Sequence, residues 1–164
     1  MTDEQLVEVP NFGELLAPYI GSVPDDAVPA FLARLERTAA QRYRDWAQAL
    51  PEHAAGLLEC AAREDDIATQ VESIYPATAP EQVTAMDEAL APARDTYYDV
   101  FSRLSVPQQL AIQANAERQG AAAWRGMIEA ETSQSIRDVL ERCARTEEAS
   151  ADYLDSLLQT LAAS

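Results

Sequence analysis

Four stretches of this chain place an apolar or small residue every three or four positions, and each carries a glutamate in the middle of its row. The first row is Val28, Leu32, Leu35, Glu36, Ala39, Tyr43, Trp46, Leu50; the second is Leu57, Cys60, Ala61, Glu64, Ile67, Ala68, Val71, Ile74. The third is Leu110, Ala114, Glu117, Ala121, Trp124, Met127, Ile128, and the last is Ile136, Leu140, Cys143, Glu147, Ser150, Leu154, Leu157, Leu161. That spacing lines one face of an α-helix, the face that packs inward. A carboxylate is among the last side chains to enter a core without a partner. Four of them at matching places predict a single cluster inside a bundle of four helices.

Helix boundaries follow from capping residues and prolines. The first helix is expected from Asp25 or Asp26, either able to cap free amides, to Leu50, where Pro51 stops it. The second runs from Glu52 to Ile74, so short a link making it an antiparallel neighbour. Pro80 to Leu104 is a further periodic stretch (Val83, Met86, Leu90, Tyr97, Val100, Phe101, Leu104), expected to kink at Pro92. It has no matching inward carboxylate and is long enough to carry the chain back along the bundle as a crossover. The third glutamate helix starts at Pro107 and ends near Glu131; the fourth is capped by Thr132 or Ser133 and runs towards Leu161. Residues 1–24, broken by prolines at 10, 18 and 24, form a short arm expected to pack across one end of a single domain of residues 25–164.

The two halves echo each other. Ala61–Glu64 and Ala144–Glu147 both read A-x-x-E, with a cysteine four residues before the glutamate in each. Tyr43 follows Glu36 by seven residues, as Trp124 follows Glu117. An internal twofold with all four carboxylates at one level is the simplest arrangement.

These motifs resemble the ferritin-like superfamily, its rubrerythrin branch most closely. The segment from Glu36 to Ala47 is similar to E-x-x-A-x-x-R-Y-x-x-[FW]-A, and Ala61–Ala68 and Ala144–Ser150 are similar to the A-x-x-E-x-x-H repeats. The resemblance spans roughly residues 25–160 and implies an up-down four-helix bundle holding two iron or manganese ions. Each ion would lie between glutamates and the histidine of an E-x-x-H. Glu36, Glu64, Glu117 and Glu147 carry over as candidate metal ligands; both histidines do not, because Ile67 and Ser150 stand in their places.

Isoleucine offers no ligand atom and a serine hydroxyl offers a weak oxygen, so the remaining set is carboxylates, which suit hard cations such as Mn²⁺, Mg²⁺ or Ca²⁺. Three states are open to such a sequence. The centre is degenerate, its glutamates neutralised by protons, water, tyrosine or an arginine such as Arg42, Arg63, Arg118 or Arg145. Or four carboxylates hold metal and act on O₂ or peroxide, with Tyr43 or Trp124 as electron relays. Or some of the glutamates face solvent. The reading taken from the sequence is the first: a degenerate dinuclear centre with a non-catalytic binding or scaffolding role, and iron, manganese or no metal. The alternative is an all-carboxylate oxidoreductase.

Composition narrows the partners. With 28 acidic against 12 basic residues, all of them arginine, the chain carries −16 and would repel nucleic acid or an anionic membrane. It favours a basic protein partner, and a homodimer is expected. An acidic N-terminus unlike a signal peptide, no long apolar run and two unpatterned cysteines point to a reduced, cytoplasmic protein. Cys60 and Cys143 read as small core residues, and the single histidine, His53, lies about three turns from Glu64, too far to ligate with it. One histidine cannot supply a serine–histidine–aspartate triad or a zincin helix, and no phosphate-binding glycine loop is present.

Overall fold

The structure, a computed structural model, describes residues 7–164; the first residues of the expected arm and its acidic N-terminus lie outside them. Among the described residues there are six α-helices and no strand. They are α1 (Phe12–Ile20), α2 (Val28–Ala49), α3 (Ala54–Ile74), α4 (Pro80–Asp99), α5 (Val106–Ala130) and α6 (Gln134–Ala163).

Proline and side-chain caps set most of the ends. Asp25 and Asp26 do not cap α2: they form a 3₁₀ turn, Asp25–Ala27, with no side-chain bond to the helix. Pro29 occupies the first turn of α2, where its missing N–H costs no hydrogen bond. At the other end Leu50, forced out of the helical region by Pro51, closes α2 with φ −125° and ψ 71°. A 3₁₀ turn, Pro51–His53, then leads directly into α3. The N-terminus of α5 is a reciprocal cap. Ser105 Oγ accepts from the Gln108 N–H at 3.3 Å, and Gln108 Oε1 accepts from the Ser105 N–H at 2.9 Å. Ser133 Oγ caps α6 by accepting from the Ile136 N–H at 3.4 Å. Pro92, where a kink is expected, lies inside α4 at an exposed position, and the helix ends at Asp99 rather than Leu104. Arg103, with φ 68°, turns the chain in left-handed geometry before α5.

The chain divides into two compact units. One is Gly13–Val100. Its centre is the α2–α3 pair, whose cross-links run in opposite senses along the two helices: Arg37 bonds Glu72 and Thr69, while Arg44, two turns on, bonds Asp65. The pairing is antiparallel. The expected inward row of α3 is buried throughout from Leu57 to Val71. On α2 the row is only half the story. Ala39, Tyr43 and Trp46 are buried as expected, but so are Ala30 and Phe31 on a second face, with Ala27 just before the helix. That second face is covered by Leu16 and Val23 near α1 and by Met86, Ala89 and Ala93 of α4, which form one hydrophobic cluster with it. Tyr19 Oη and Thr96 Oγ1, 2.6 Å apart, tie α1 to α4.

The other unit joins Phe101–Ser164 to the described residues before Gly13. Here α5 and α6 pair antiparallel: Arg118 bonds Asp155, and Arg125, further along α5, reaches back to Glu148 and Glu141. Leu110, Ala114, Ala121 and Trp124 of α5 and Leu140, Cys143, Ala144, Ala151 and Leu154 of α6 are buried. Gln119 holds the chain before α1 by both ends of its amide, accepting from the Phe12 N–H and donating to the Pro10 carbonyl, each at 2.9 Å.

Candidate metal centre

Each unit contains two of the four glutamates. In the Gly13–Val100 unit, Glu36 lies midway along α2 and Glu64 midway along α3. Because α2 and α3 are antiparallel and their centres face each other, a carboxylate oxygen of Glu36 and one of Glu64 lie within 4.8 Å. Glu64 is wholly buried, whereas Glu36 is partly accessible from one side. Two like charges at that separation, one sealed from water, repel unless something positive stands between or beside them. The distance suits two oxygens on a common cation, since metal–oxygen bonds of ~2.0–2.6 Å put bound oxygens a few ångströms apart.

In the other unit, Glu117 and Glu147 each retain only 2 % exposure. Gln113, one turn earlier on α5, donates from Nε2 to Glu117 Oε1 at 2.8 Å and fixes that carboxylate's direction. Glu147 lies against α5 at Gly120. A Cβ placed on Gly120 would meet Glu147 Oε2 at 1.7 Å, so the carboxylate occupies space that only a glycine leaves. Gly120 is three residues beyond Glu117 and belongs to the same inward side of α5.

The two positions where the resembled motif has histidine are also in the core. Ile67 on α3 and Ser150 on α6 are both 0 % exposed. Ile67 brings no donor atom. Ser150 Oγ, one turn past Glu147, has no hydrogen-bond partner among the described residues. Trp124 Nε1, one turn past Gly120 on α5, is likewise buried and without a partner there. Buried polar atoms are almost always satisfied, so an unpartnered hydroxyl one turn from Glu147 leaves room for a further polar group.

Three of the arginines that the sequence offered for neutralisation pair with other carboxylates. Arg118 pairs with Asp152 and Asp155, Arg145 with Glu141, and Arg63 with Glu59 while donating to the Cys60 sulfur. Arg42 stacks over the Trp46 and Tyr98 rings, with its guanidinium carbon 5.0 and 5.6 Å from the centroids. Tyr43 is wholly buried and meets Trp46 edge-on at 5.3 Å, a packed pair in the α2 row. Both cysteines are buried free thiols.

Gly120 and Gln113 escaped the sequence reading. A signal for Gly120 existed: it is a glycine in the interior of a helix, where glycine costs about 1 kcal/mol, one turn from an inward glutamate. Gln113 gave none, since a glutamine one turn before a glutamate is common on solvent faces.

No helix among the described residues is long and apolar enough to cross a membrane. No family model matches the chain, and neither a curated protein nor a solved structure matches it.

Proposed function

We propose that the chain is a ferritin-like four-helix protein whose dinuclear centre has lost its nitrogen ligands and serves to bind a hard divalent cation rather than to run di-iron redox chemistry. The approach of Glu36 to Glu64 within 4.8 Å, in a buried setting, carries the reading. The resemblance adds Glu117 and Glu147 as ligands from the second helical pair. The cradle at Gly120 and the unpartnered Ser150 hydroxyl support their part in it.

The donor set decides the metal. Carboxylate oxygens favour Mn²⁺, Mg²⁺ or Ca²⁺, and with Ile67 and Ser150 in place of imidazoles nothing selects for iron. A bound cation supplies positive charge that offsets the carboxylate repulsion. The chain's own residues hold and orient the ligands: Gln113 sets Glu117, Gly120 admits Glu147, and the buried α3 row fixes Glu64. The role is therefore binding, with the cation stabilising the fold.

The test is metal content. Protein purified without an affinity tag is incubated with Mn²⁺, Ca²⁺ or Fe²⁺, desalted, and assayed for metal per chain. Expected are near-stoichiometric Mn²⁺, its loss in Glu64→Gln, and no catalytic oxygen uptake on adding Fe²⁺ in air. A folded protein that retains no cation sinks the proposal; sustained oxygen consumption would move the function to the oxidoreductase class.

A further inference from the structure

A groove of about 790 Å³ opens in the Gly13–Val100 unit between α2, α4 and the turn that follows α3, and its chemistry differs from the rest of the chain. Three of the twelve arginines line it, Arg34 and Arg37 from successive turns of α2 and Arg94 from α4, against one acidic lining residue, Glu72. In a protein of net charge −16 this gathers guanidinium groups in one place, although Asp87, Asp65, Glu72 and Asp95 stand beside them as ion-pair partners. The apolar part of the lining comes from Met86 and Leu90 of α4 and Ala30 of α2; Met86 and Ala30 are buried, and Leu90 is the more accessible. Tyr98 lies at the same wall, its hydroxyl donating to the Thr38 carbonyl at 3.2 Å.

The arginines are held but not saturated. Arg34 gives one nitrogen, Nη1, to Asp87 at 2.6 Å. Among the described residues Arg94 bonds its neighbour Asp95, through two long contacts of 3.3 Å. Arg37 bonds Glu72 and Thr69. The carboxylates on these pairs are themselves 42–71 % exposed, so each pair is a surface ion pair of the kind an incoming anion displaces at little cost. The volume falls within the range of small-molecule sites, and such sites combine apolar walls with a few polar anchors. A guanidinium presents a planar fork that matches a carboxylate in two bonds.

We infer that this groove binds a small amphipathic carboxylate, its head taken by Arg34 and Arg94 and its hydrocarbon body lying along Met86 and Leu90. The inference is independent of the cation centre.

Decanoate below its micelle concentration is the probe, with decanol and inorganic phosphate as the uncharged and the headgroup-only comparisons. Binding to the full chain is followed by calorimetry and by NMR shifts of Met86 and Leu90 methyls. Saturable decanoate binding is expected, with decanol and phosphate each at least tenfold weaker. Arg34→Gln and Arg94→Gln should each weaken decanoate about tenfold or more, the scale of a lost charged hydrogen bond. Leu90→Ala should weaken it by a smaller factor while leaving phosphate unchanged. Arg94 is the safeguard against a folding defect, since it is 45 % exposed and among the described residues bonds its sequence neighbour. Decanol binding as tightly as decanoate, phosphate binding alone, wild-type affinity in Arg94→Gln, or no saturable binding would each overturn the inference.

Discussion

Gly120 and Gly126 sit on the same helix, lack side chains alike, and should answer the same substitution in opposite ways. A methyl group on Gly126 meets nothing within 4 Å, so Gly126→Ala should stabilise the protein by up to about 1 kcal/mol through helix propensity alone. On Gly120 the same methyl would collide with Glu147, 1.7 Å from Oε2 and 2.9 Å from Cδ. Overpacking of that kind costs about 1–3 kcal/mol, against the same propensity gain of about 1. Gly120→Ala should therefore be neutral to destabilising, and should weaken Mn²⁺ retention because the carboxylate must move. Urea unfolding of both variants checks the contrast; equal stabilisation would mean that Glu147 has no need of the glycine. A second residue-scale test is Ser150→Ala. With no partner for its hydroxyl among the described residues, its removal should leave stability unchanged or slightly raised in metal-free protein. A measured loss of more than about 1 kcal/mol would reveal a hydrogen bond the fold depends on.

Helix pairs are where sequence and structure agree most closely, and where they part for a physical reason. The row on α3 was legible from Leu57 to Val71 because this helix buries one stripe, and a single stripe is what a spacing of three and four detects. The row on α2 was half legible because α2 is packed on two sides; Phe31, wholly buried under α4, lies off the stripe that holds Glu36. The inward positions of Glu64, Glu117 and Glu147 follow from the same logic, while Gly120, which makes room for Glu147 by having no side chain, does not. The groove arginines were invisible for another reason: Arg34 and Arg94 are brought together by tertiary packing of α2 and α4, not by spacing along either. Between α5 and α6 the dominant polar feature is Arg125. It grips Glu148 through two bonds of 2.9 and 2.7 Å and Glu141 through two of 3.3 and 3.1 Å. Hydrogen bonding to Arg125 holds both carboxyls below their ordinary 4.5, and the same bonds, Glu148 first, raise the guanidinium. A lowered native value means the unfolded chain binds more protons just below pH 4.5, so the clamp's stabilisation is complete above that pH and is lost as pH falls through the native values. The clamp is partly exposed to solvent, which limits it to about 1 kcal/mol. Arg125→Gln should lower the melting temperature slightly at pH 7 and not at pH 3; an equal loss at both would assign the effect to packing of the arginine stem.

At the scale of the whole chain, negative charge raises a difficulty for any claim of cation binding, because every cation will stabilise a protein of −16 to some degree. Among the described residues nine of the twelve arginines are engaged in ion pairs, among them Arg34, Arg44 and Arg118, and with 28 acidic residues a large acidic surplus remains that repels itself. Sodium chloride should therefore raise the melting temperature as the Debye length shrinks to about 10 Å at 0.1 M. Its loss of surface ion pairs is small in comparison, since such pairs are worth little. A specific site behaves differently. At free Mn²⁺ a hundredfold above its dissociation constant, the proposed centre adds about 2.7 kcal/mol, and it does so at concentrations too low to change ionic strength. The two effects separate by mutation. Glu64→Gln removes a single charge, so it should leave the sodium response nearly intact while abolishing the response to micromolar Mn²⁺. If the carboxylates of both units serve one centre, as the resemblance implies, Glu147→Gln should abolish the Mn²⁺ response as well. The double variant should then lose no more than either single one. Melting curves of the four proteins across a sodium series and a manganese series decide it. Parallel behaviour of the two salts in every variant would reduce the buried glutamates to ordinary contributors to a negative surface field.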